Sequence, residues 1–191
     1  NLNTVFFGGG TPSLMPLEII ESILDVSSDV FCFDKDIEIT LEANPSSYDR
    51  TRFIKLKEIG INRLSIGVQS LNNKYLKFLG RLHDINDVNI ATQEASNIFN
   101  NISVDIIYAF YGQNLEDWTN ELENFLKANK LNHLSLYQLT IEEGTKFFKE
   151  HNNGIIKLID DDLAAEFYTV SNKILKDFEF IKYEVSNYAK E

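Results

Sequence analysis

A run of glycines follows the first apolar segment of the chain. Residues 5–7 (VFF) lead directly into Gly8, Gly9 and Gly10, and Thr11 and Pro12 come next. Consecutive glycines at a strand end let backbone N–H groups approach a ligand closely and offer donors to a carboxylate or phosphate. The spacing fits neither the dinucleotide fingerprint nor the Walker pattern. Taken alone, the run also fits a tight structural turn.

Glu42, Gln69, Arg81 and Asp105 are the other side chains that could contact a polar ligand. Glu42 could accept hydrogen bonds from ribose hydroxyls, and the alternative is an ion pair with Arg63 or Arg81. Asp105 stands in an apolar run and is costly to bury unpaired, which favours either a ligand or a salt bridge. Arg81 could bind a carboxylate through two hydrogen bonds, and the alternative is a solvated surface arginine.

The histidines and the cysteine do not predict a metal centre. The three histidines and the single cysteine show no metal-ligand spacing, so we assign no metal site built from protein side chains alone. A Ser/His/Asp arrangement is not evident either. Cys32 lies between Phe31 and Phe33 ahead of a predicted strand, and this context predicts a buried, inert thiol.

Composition restricts the class of protein and its partners. The 191 residues are 43% hydrophobic, enough for one sizeable core, and 18 basic against 29 acidic residues give a net charge of -11. Such a charge disfavours nucleic acid as a partner. No apolar run approaches the ~20 residues of a membrane span, and no apolar leader follows a basic start, so we expect a cytoplasmic protein without an integral membrane segment. Both ends of the chain are expected to continue into a longer protein.

Strands and helices are predicted to alternate along the chain. Six strands are predicted at 5–7, 37–42, 62–69, 102–108, 132–138 and 180–185, and five helical stretches separate them, among them one starting at Ser46 or Ser47 and one capped by Asn114. Long helical connections imply crossovers and a parallel sheet. The predicted fold class is α/β, a partial (β/α) barrel with parallel strands and outer helices.

Polar residues alternate along these strands, which an ordinary buried parallel strand does not show. The polar faces carry Glu38, Thr40 and Glu42; Arg63, Ser65, Gly67 and Gln69; Ser103 and Asp105; His133, Ser135 and Tyr137. The partner faces would pack under the helices. The alternation predicts a polar, ligand-holding lumen, with the active face at the carboxyl ends of the strands. An antiparallel sheet with one wet face is the alternative.

Seven segments in this order resemble one known family. They are 7–14 (FGGGTPSL), 38–45 (EITLEANP), 62–70 (NRLSIGVQS), 79–81 (LGR), 104–108 (VDIIY), 134–140 (LSLYQLT) and 183–190 (YEVSNYAK). The chain resembles the radical S-adenosylmethionine (SAM) proteins of the HemW heme chaperone and oxygen-independent coproporphyrinogen III oxidase type. The resemblance covers nearly the whole chain and implies the radical SAM type of partial barrel.

The resemblance implies cofactors and residue roles. A [4Fe-4S] cluster held by three cysteines would leave one iron open to chelate the amino and carboxylate groups of SAM. By the same resemblance Gly9, Gly10 and Thr11 bind the methionine end of SAM, Glu42 and Gln69 its ribose region, and Arg81 and Asp105 further polar groups. Heme is implied as a further ligand, with a client hemoprotein as partner.

Three departures from the family pattern qualify this reading. The three-cysteine loop belongs before Val5 and is absent from residues 1–191, so the piece by itself is not expected to hold the cluster or perform the chemistry. Residues 108–113 (YAFYGQ) replace the family's Tyr-Gly-Leu-Pro-Gly-Gln turn. The heme-linked residues and the C-terminal domain of the chaperones would follow Ala189.

Four functions stay open at this point. Residues 136–140 and 184–189 look closer to the chaperone branch, which favours a HemW-type heme chaperone. The first alternative is the oxidase, which acts on a porphyrinogen and converts two propionates to vinyl groups. A cluster-free β/α-barrel hydrolase or isomerase would use Glu42 and Asp105 as acid and base. The fourth is a degenerate pseudoenzyme fragment.

Overall fold

A curled sheet carries helices on its convex side. The computed structural model describes residues 1–191. The strands are β1 (Leu2–Phe7), β2 (Phe33–Ala43), β3 (Arg63–Gln69), β4 (Asn101–Tyr108), β5 (His133–Gln138), β6 (Ile181–Lys182) and β7 (Asn187–Ala189). The helices are α1 (Leu17–Val30), α2 (Arg50–Glu58), α3 (Asn73–Phe78), α4 (Ile85–Ile98), α5 (Leu115–Ala128), α6 (Lys146–Asn152) and α7 (Asp161–Asp177), with 3-10 turns at Pro12–Leu14 and Pro45–Ser47. No helix combines the length and the apolar character needed to cross a membrane.

The sheet has seven strands in the order β1-β2-β3-β4-β5-β7-β6. Neighbours from β1 to β5 are all parallel, as expected for strands joined by helical crossovers. Together with the outer helices, they form the predicted α/β partial barrel, and the antiparallel alternative is wrong for these strands. The structure therefore agrees with the polar alternation in placing one face of each strand in a lumen.

The end of the chain differs from the predicted parallel strand at 180–185. Instead, β7 runs antiparallel to β5, and β6 pairs antiparallel with β7. The chain reverses because Glu184 closes a turn: its carboxylate accepts hydrogen bonds from Ser186 N, at 3.1 Å, and from Asn187 Nδ2, at 2.6 Å. The apolar residues of this segment predicted a single strand, whereas the structure has a short hairpin.

The core lies between the sheet and the helices. Leu41, Leu64, Val104 and Leu134 come from four successive strands, and each has 0% of its surface exposed. Trp118 of α5 joins this core, and its indole N–H is satisfied by the Ser171 hydroxyl of α7 at 2.9 Å. Burial of these faces leaves the alternate residues of the strands pointing into the lumen.

Two local predictions are wrong. Helix α2 starts at Arg50 rather than near Ser46, because Asp49 caps it by accepting a hydrogen bond from Arg52 N at 2.6 Å. Cys32 is exposed rather than buried, since α1 ends at Val30 and the cysteine lies in the connection to the sheet edge. The predicted cap of α5 is confirmed: Asn114 Oδ1 accepts from the next turn at 2.8 and 3.2 Å.

The turn after β4 keeps a tight form although it lacks the glycine expected from the family pattern. Ala109 adopts a φ of 66°, a left-handed conformation that costs a residue with a side chain about 1–2 kcal/mol. Gln113 stabilises it, because its Oε1 accepts from the backbone N–H groups of Ala109 at 2.8 Å and Phe110 at 3.2 Å. The buried glutamine thus offsets the strain left by the substituted glycine.

Helix α7 ends in a reversal with a glutamate at its left-handed position. Glu179 has a φ of 66°, its N–H donates to Lys176 O at 3.0 Å, and the next N–H, of Phe180, donates to Leu175 O at 2.9 Å. This is the hydrogen-bond pattern of a Schellman motif, whose left-handed residue is usually glycine. Glu179 is exposed, so its side chain contributes no core packing.

Replacing that glutamate with glycine is expected to stabilise the fold. Glu179→Gly removes left-handed strain of about 1–2 kcal/mol and adds unfolded-state entropy of about 0.5–1 kcal/mol, so a net gain of about 0.5–1 kcal/mol is expected. Urea unfolding measures it. The matched control is Glu166→Gly in the middle of the same helix, also exposed, which should lose about 1 kcal/mol. Equal losses in both variants contradict the assigned turn.

Candidate functional site

A polar cavity of about 230 Å³ lies at the carboxyl ends of the first strands. Its walls come from the glycine loop after β1, the ends of β2 and β3, the middle of β4, and the turn after α3. The lining residues are Gly10, Thr11, Pro12, Glu42, Ala43, Asn44, Ser65, Gly67, Gln69, Arg81 and Asp105. The structure therefore brings six of the seven predicted site residues to one cavity, and Gly9 contacts one of those six.

The glycine loop and Glu42 hold each other in place. Gly9 N–H donates to Glu42 Oε2 at 2.9 Å, and Gly9 and Gly10 have φ values of 83° and 59°, which favour glycine. The alternative ion pairs of Glu42 are not formed, since Arg63 lies instead 3.8 Å from Glu38. The second carboxylate oxygen of Glu42 makes no hydrogen bond within the chain and can accept from a ligand hydroxyl.

Gln69 closes the wall at the end of β3. Its amide lies so close to Gly67 that a Cβ atom on Gly67 would be 2.9 Å from Gln69 Nε2. Any side chain at Gly67 would therefore displace this amide from the cavity wall. Because Gly67 has no side chain, the Gln69 amide can lie over the strand at the cavity wall.

Asp105 is a half-buried carboxylate without a cationic partner. Ser65 Oγ donates to its Oδ2 at 3.0 Å, whereas the Ser135 hydroxyl donates to Asn187 Oδ1 at 3.0 Å. Burial raises the pKa of Asp105 above its usual value, and the nearby hydroxyls of Ser135 and Ser65 only partly counter that effect. No salt bridge to Asp105 forms, so the predicted salt-bridge alternative is wrong. The sequence pattern placed Ser65 in the lumen but did not identify it as the hydrogen-bond donor to Asp105.

Arg81 contributes positive charge to a largely acidic molecule. Partial burial lowers the pKa of the Arg81 guanidinium from its usual value, yet it remains a cation at neutral pH. It makes no ion pair with any carboxylate of the chain, so its donors are available at the cavity. A carboxylate-bearing ligand would complement it.

The lumen continues below this cavity. A second cavity of about 240 Å³ shares Glu42, Ser65 and Asp105 with the first and extends to His133. One ring nitrogen of His133 lies 2.7 Å from Ser103 Oγ and the other 2.6 Å from Tyr183 Oη. Burial, together with the charge of Arg63, lowers the pKa of His133 to about 4, so the ring is neutral at pH 7.

The side chains of residues 1–191 do not assemble a metal centre. No group of three or more His, Cys, Asp or Glu side chains lies in a position to hold a metal ion. Cys32, the single cysteine, is exposed away from the cavity lining. The residues present therefore do not form the ligand set of an iron-sulfur cluster.

Replacing Asp105 with asparagine is expected to stabilise the chain at neutral pH. Because the folded-state pKa of Asp105 is raised, the folded chain binds more protons between the unfolded and folded pKa values, and stability falls as pH rises through that window. Asp105→Asn removes this loss. Its advantage should be present at pH 7 and disappear on acidification below about pH 3.9, the unfolded value.

Chemical denaturation across pH measures this difference. The control is Asp25→Asn on the exposed face of α1, which should show no comparable pH-dependent advantage. An Asp105→Asn variant that is less stable than the wild type at pH 7 contradicts an unpaired, desolvated carboxylate.

Comparison with known proteins gives this geometry a family. Residues 1–125 match the Radical SAM superfamily. The chain is 40% identical over 190 residues to the mouse protein "Radical S-adenosyl methionine domain-containing protein 1, mitochondrial", covering 99% of this chain and 43% of that protein. It is 37% identical over 190 residues to the heme chaperone HemW of Buchnera aphidicola from Acyrthosiphon pisum, covering 100% of this chain and 49% of that protein.

A solved structure shows the same fold. Coproporphyrinogen III oxidase (HemN) from Escherichia coli, a Radical SAM enzyme, superimposes with a TM-score of 0.83 and 22% identity over 98% of this chain and 43% of its own. At this identity the likeness concerns the fold alone. The chain spans less than half of the length of each of these three proteins. By the superfamily match over residues 1–125, the chain belongs to the Radical SAM superfamily.

Proposed function

We propose that these residues form the SAM-binding barrel of a heme chaperone of the HemW type. Superfamily membership implies a [4Fe-4S] cluster and SAM as cofactors. The observation that carries the assignment to this cavity is that Glu42, Gln69, Arg81 and Asp105 converge on it from separate elements. No salt bridge pairs any of them with another side chain of the protein.

The donor and acceptor set of the cavity suits SAM. Backbone N–H groups of the glycine loop and Thr11 would hold the methionine end, and the Arg81 guanidinium would pair with a carboxylate. Glu42 and Gln69 would take the ribose hydroxyls, while Asp105 would bind a further polar group of the same ligand. Reductive cleavage of the sulfonium is the chemistry that SAM supplies when it is bound at a reduced cluster.

The cluster itself does not fit the residues of this chain. One exposed cysteine cannot supply three thiolates, and no other side-chain group replaces them. We propose that residues 1–191 are a core barrel piece, with the cysteine loop and a C-terminal domain in other parts of a longer protein. Coverage of 43% and 49% of the relatives' length supports this division.

The chaperone assignment ranks above the oxidase because of the relatives. Proteins named heme chaperone HemW are 35–37% identical over nearly the whole chain. The oxidase HemN shares 22%, at which the likeness extends to the fold alone. Superfamily membership gives no support to a cluster-free hydrolase or isomerase. Full-length protein, reconstituted anaerobically, should bind heme and fail to decarboxylate coproporphyrinogen III, whereas decarboxylation would reverse the ranking.

Partners and compartment follow from the same proposal. Heme would be the cargo and a hemoprotein the client, with SAM as the resident ligand. A cytoplasmic setting is proposed for the whole protein, although the mouse relative carries a mitochondrial designation in its name. Fractionation of cells expressing the full-length protein distinguishes the two compartments.

Glu42→Gln tests SAM binding at the cavity. Losing a charge-assisted hydrogen bond, which contributes about 1.5–3 kcal/mol, should weaken SAM binding at least about tenfold in calorimetric titration of the 191-residue chain. The matched control is Glu38→Gln, which changes the same residue type on the same face of β2 outside the cavity lining and should leave the affinity unchanged. Absence of SAM binding to the wild-type chain, or equal effects in both variants, contradicts the proposal.

A further inference from the structure

The end of β3 leaves regular strand geometry where it reaches the cavity. Ile66 pairs with Val104, but the next paired residue is Gln69 with Ile106, so β3 contains one residue more than β4 over this stretch. Such a bulge redirects a side chain next to a site. Val68, which a regular strand would place opposite Ile106, is buried in the core, and Gln69 follows it on the cavity side.

A strained turn holds Gln69 at the cavity wall. Ser70 N–H donates to Val68 O at 2.8 Å, and Gln69 between them has a φ of 68°. Together these form a three-residue γ-turn with a positive φ at its centre, a rare and strained conformation. Left-handed residues with side chains persist where the surroundings hold them in place.

His83 contacts the turn from inside the protein. The ring is 3% exposed, and its Nε2 lies 3.1 Å from Val68 O, the same carbonyl that accepts from Ser70. A carbonyl only accepts hydrogen bonds, so the ring proton is on Nε2. Nδ1 is then an acceptor, and it is buried without any partner. Burying Nδ1 without a partner is unfavourable. The hydrogen bond to Val68 O is the one polar contact of the buried ring that offsets this cost.

We propose that His83 is a positioning residue that holds the Val68–Ser70 turn, and through it the Gln69 amide, in the geometry that binds the adenosyl ligand. His83 stands two residues after Arg81, which lines the same cavity. One side chain thereby ties the segment that carries Arg81 to the strand end that carries Gln69. The inference rests on the proposed SAM site and adds a residue that does not itself line the cavity.

A donor-dependent rescue tests this role. Removing the N–H in His83→Leu should weaken SAM binding by the chain about tenfold, because one hydrogen bond is lost. His83→Gln returns an amide N–H at the same reach and should restore most of the affinity. The matched control is His151→Leu, since His151 also bonds to a backbone carbonyl, Ile156 O at 3.0 Å, away from the cavity. This control should bind SAM like the wild type.

A double-mutant cycle shows whether the effect passes through Gln69. Gln69→Ala should weaken SAM binding, and adding His83→Leu to Gln69→Ala should cause little further loss. Equal losses from His83→Leu with and without Gln69 would overturn the proposal. So would failure of His83→Gln to bind better than His83→Leu when urea unfolding finds both variants folded.

Amide hydrogen exchange separates this inference from the proposed function. Exchange of the Ser70 N–H should accelerate in His83→Leu and stay slow in His83→Gln, whether or not SAM is present. If the chain does not bind SAM while Ser70 exchange responds to the two variants as expected, the proposed function fails, but the role of His83 in holding the turn stands. If SAM binds and Ser70 exchange is unchanged in His83→Leu, the proposal that His83 holds the turn is wrong.

Discussion

One face of each strand must be buried beneath the helices, and this constraint organises the molecule. Because side chains alternate along a pleated strand, burying one face fixes which residues point the other way. Leu41, Leu64, Val104 and Leu134 occupy that face in four neighbouring parallel strands. A slip of one residue in any strand would expose its apolar set and bury its polar set, so the register is strongly specified. The polar lumen is the consequence of this register.

The lumen differs from a set of internal salt bridges. Its carboxylates are held by hydrogen bonds: Glu42 accepts from a backbone N–H and Asp105 from the Ser65 hydroxyl, while Arg81 has no carboxylate partner. Charged groups that are oriented but not paired with one another remain free to bind a ligand. Burying them lowers stability, as the raised pKa of Asp105 shows. We interpret the cavity as organised for a small zwitterionic molecule.

Much of this organisation could be predicted from the sequence, because period-two alternation and glycine at strand ends are local signals. They located the first five strands and brought Glu42, Gln69 and Asp105 to one lumen. The hairpin of β6 and β7 was missed, since it depends on one side chain, Glu184, closing a turn in an apolar segment. The role of His83 has no local sequence signal, because its partner Val68 precedes it by 15 residues, with α3 between them along the chain.

A crystal structure of the chain with S-adenosylhomocysteine, a stable analogue of SAM, directly tests whether the cavity is the SAM site. We expect density for the nucleoside in the cavity, with ribose hydroxyls within hydrogen-bonding distance of the Glu42 carboxylate and the Gln69 amide, and Asp105 contacting the same molecule. Density for the nucleoside elsewhere on the protein, with these three side chains unchanged and solvated, would contradict it.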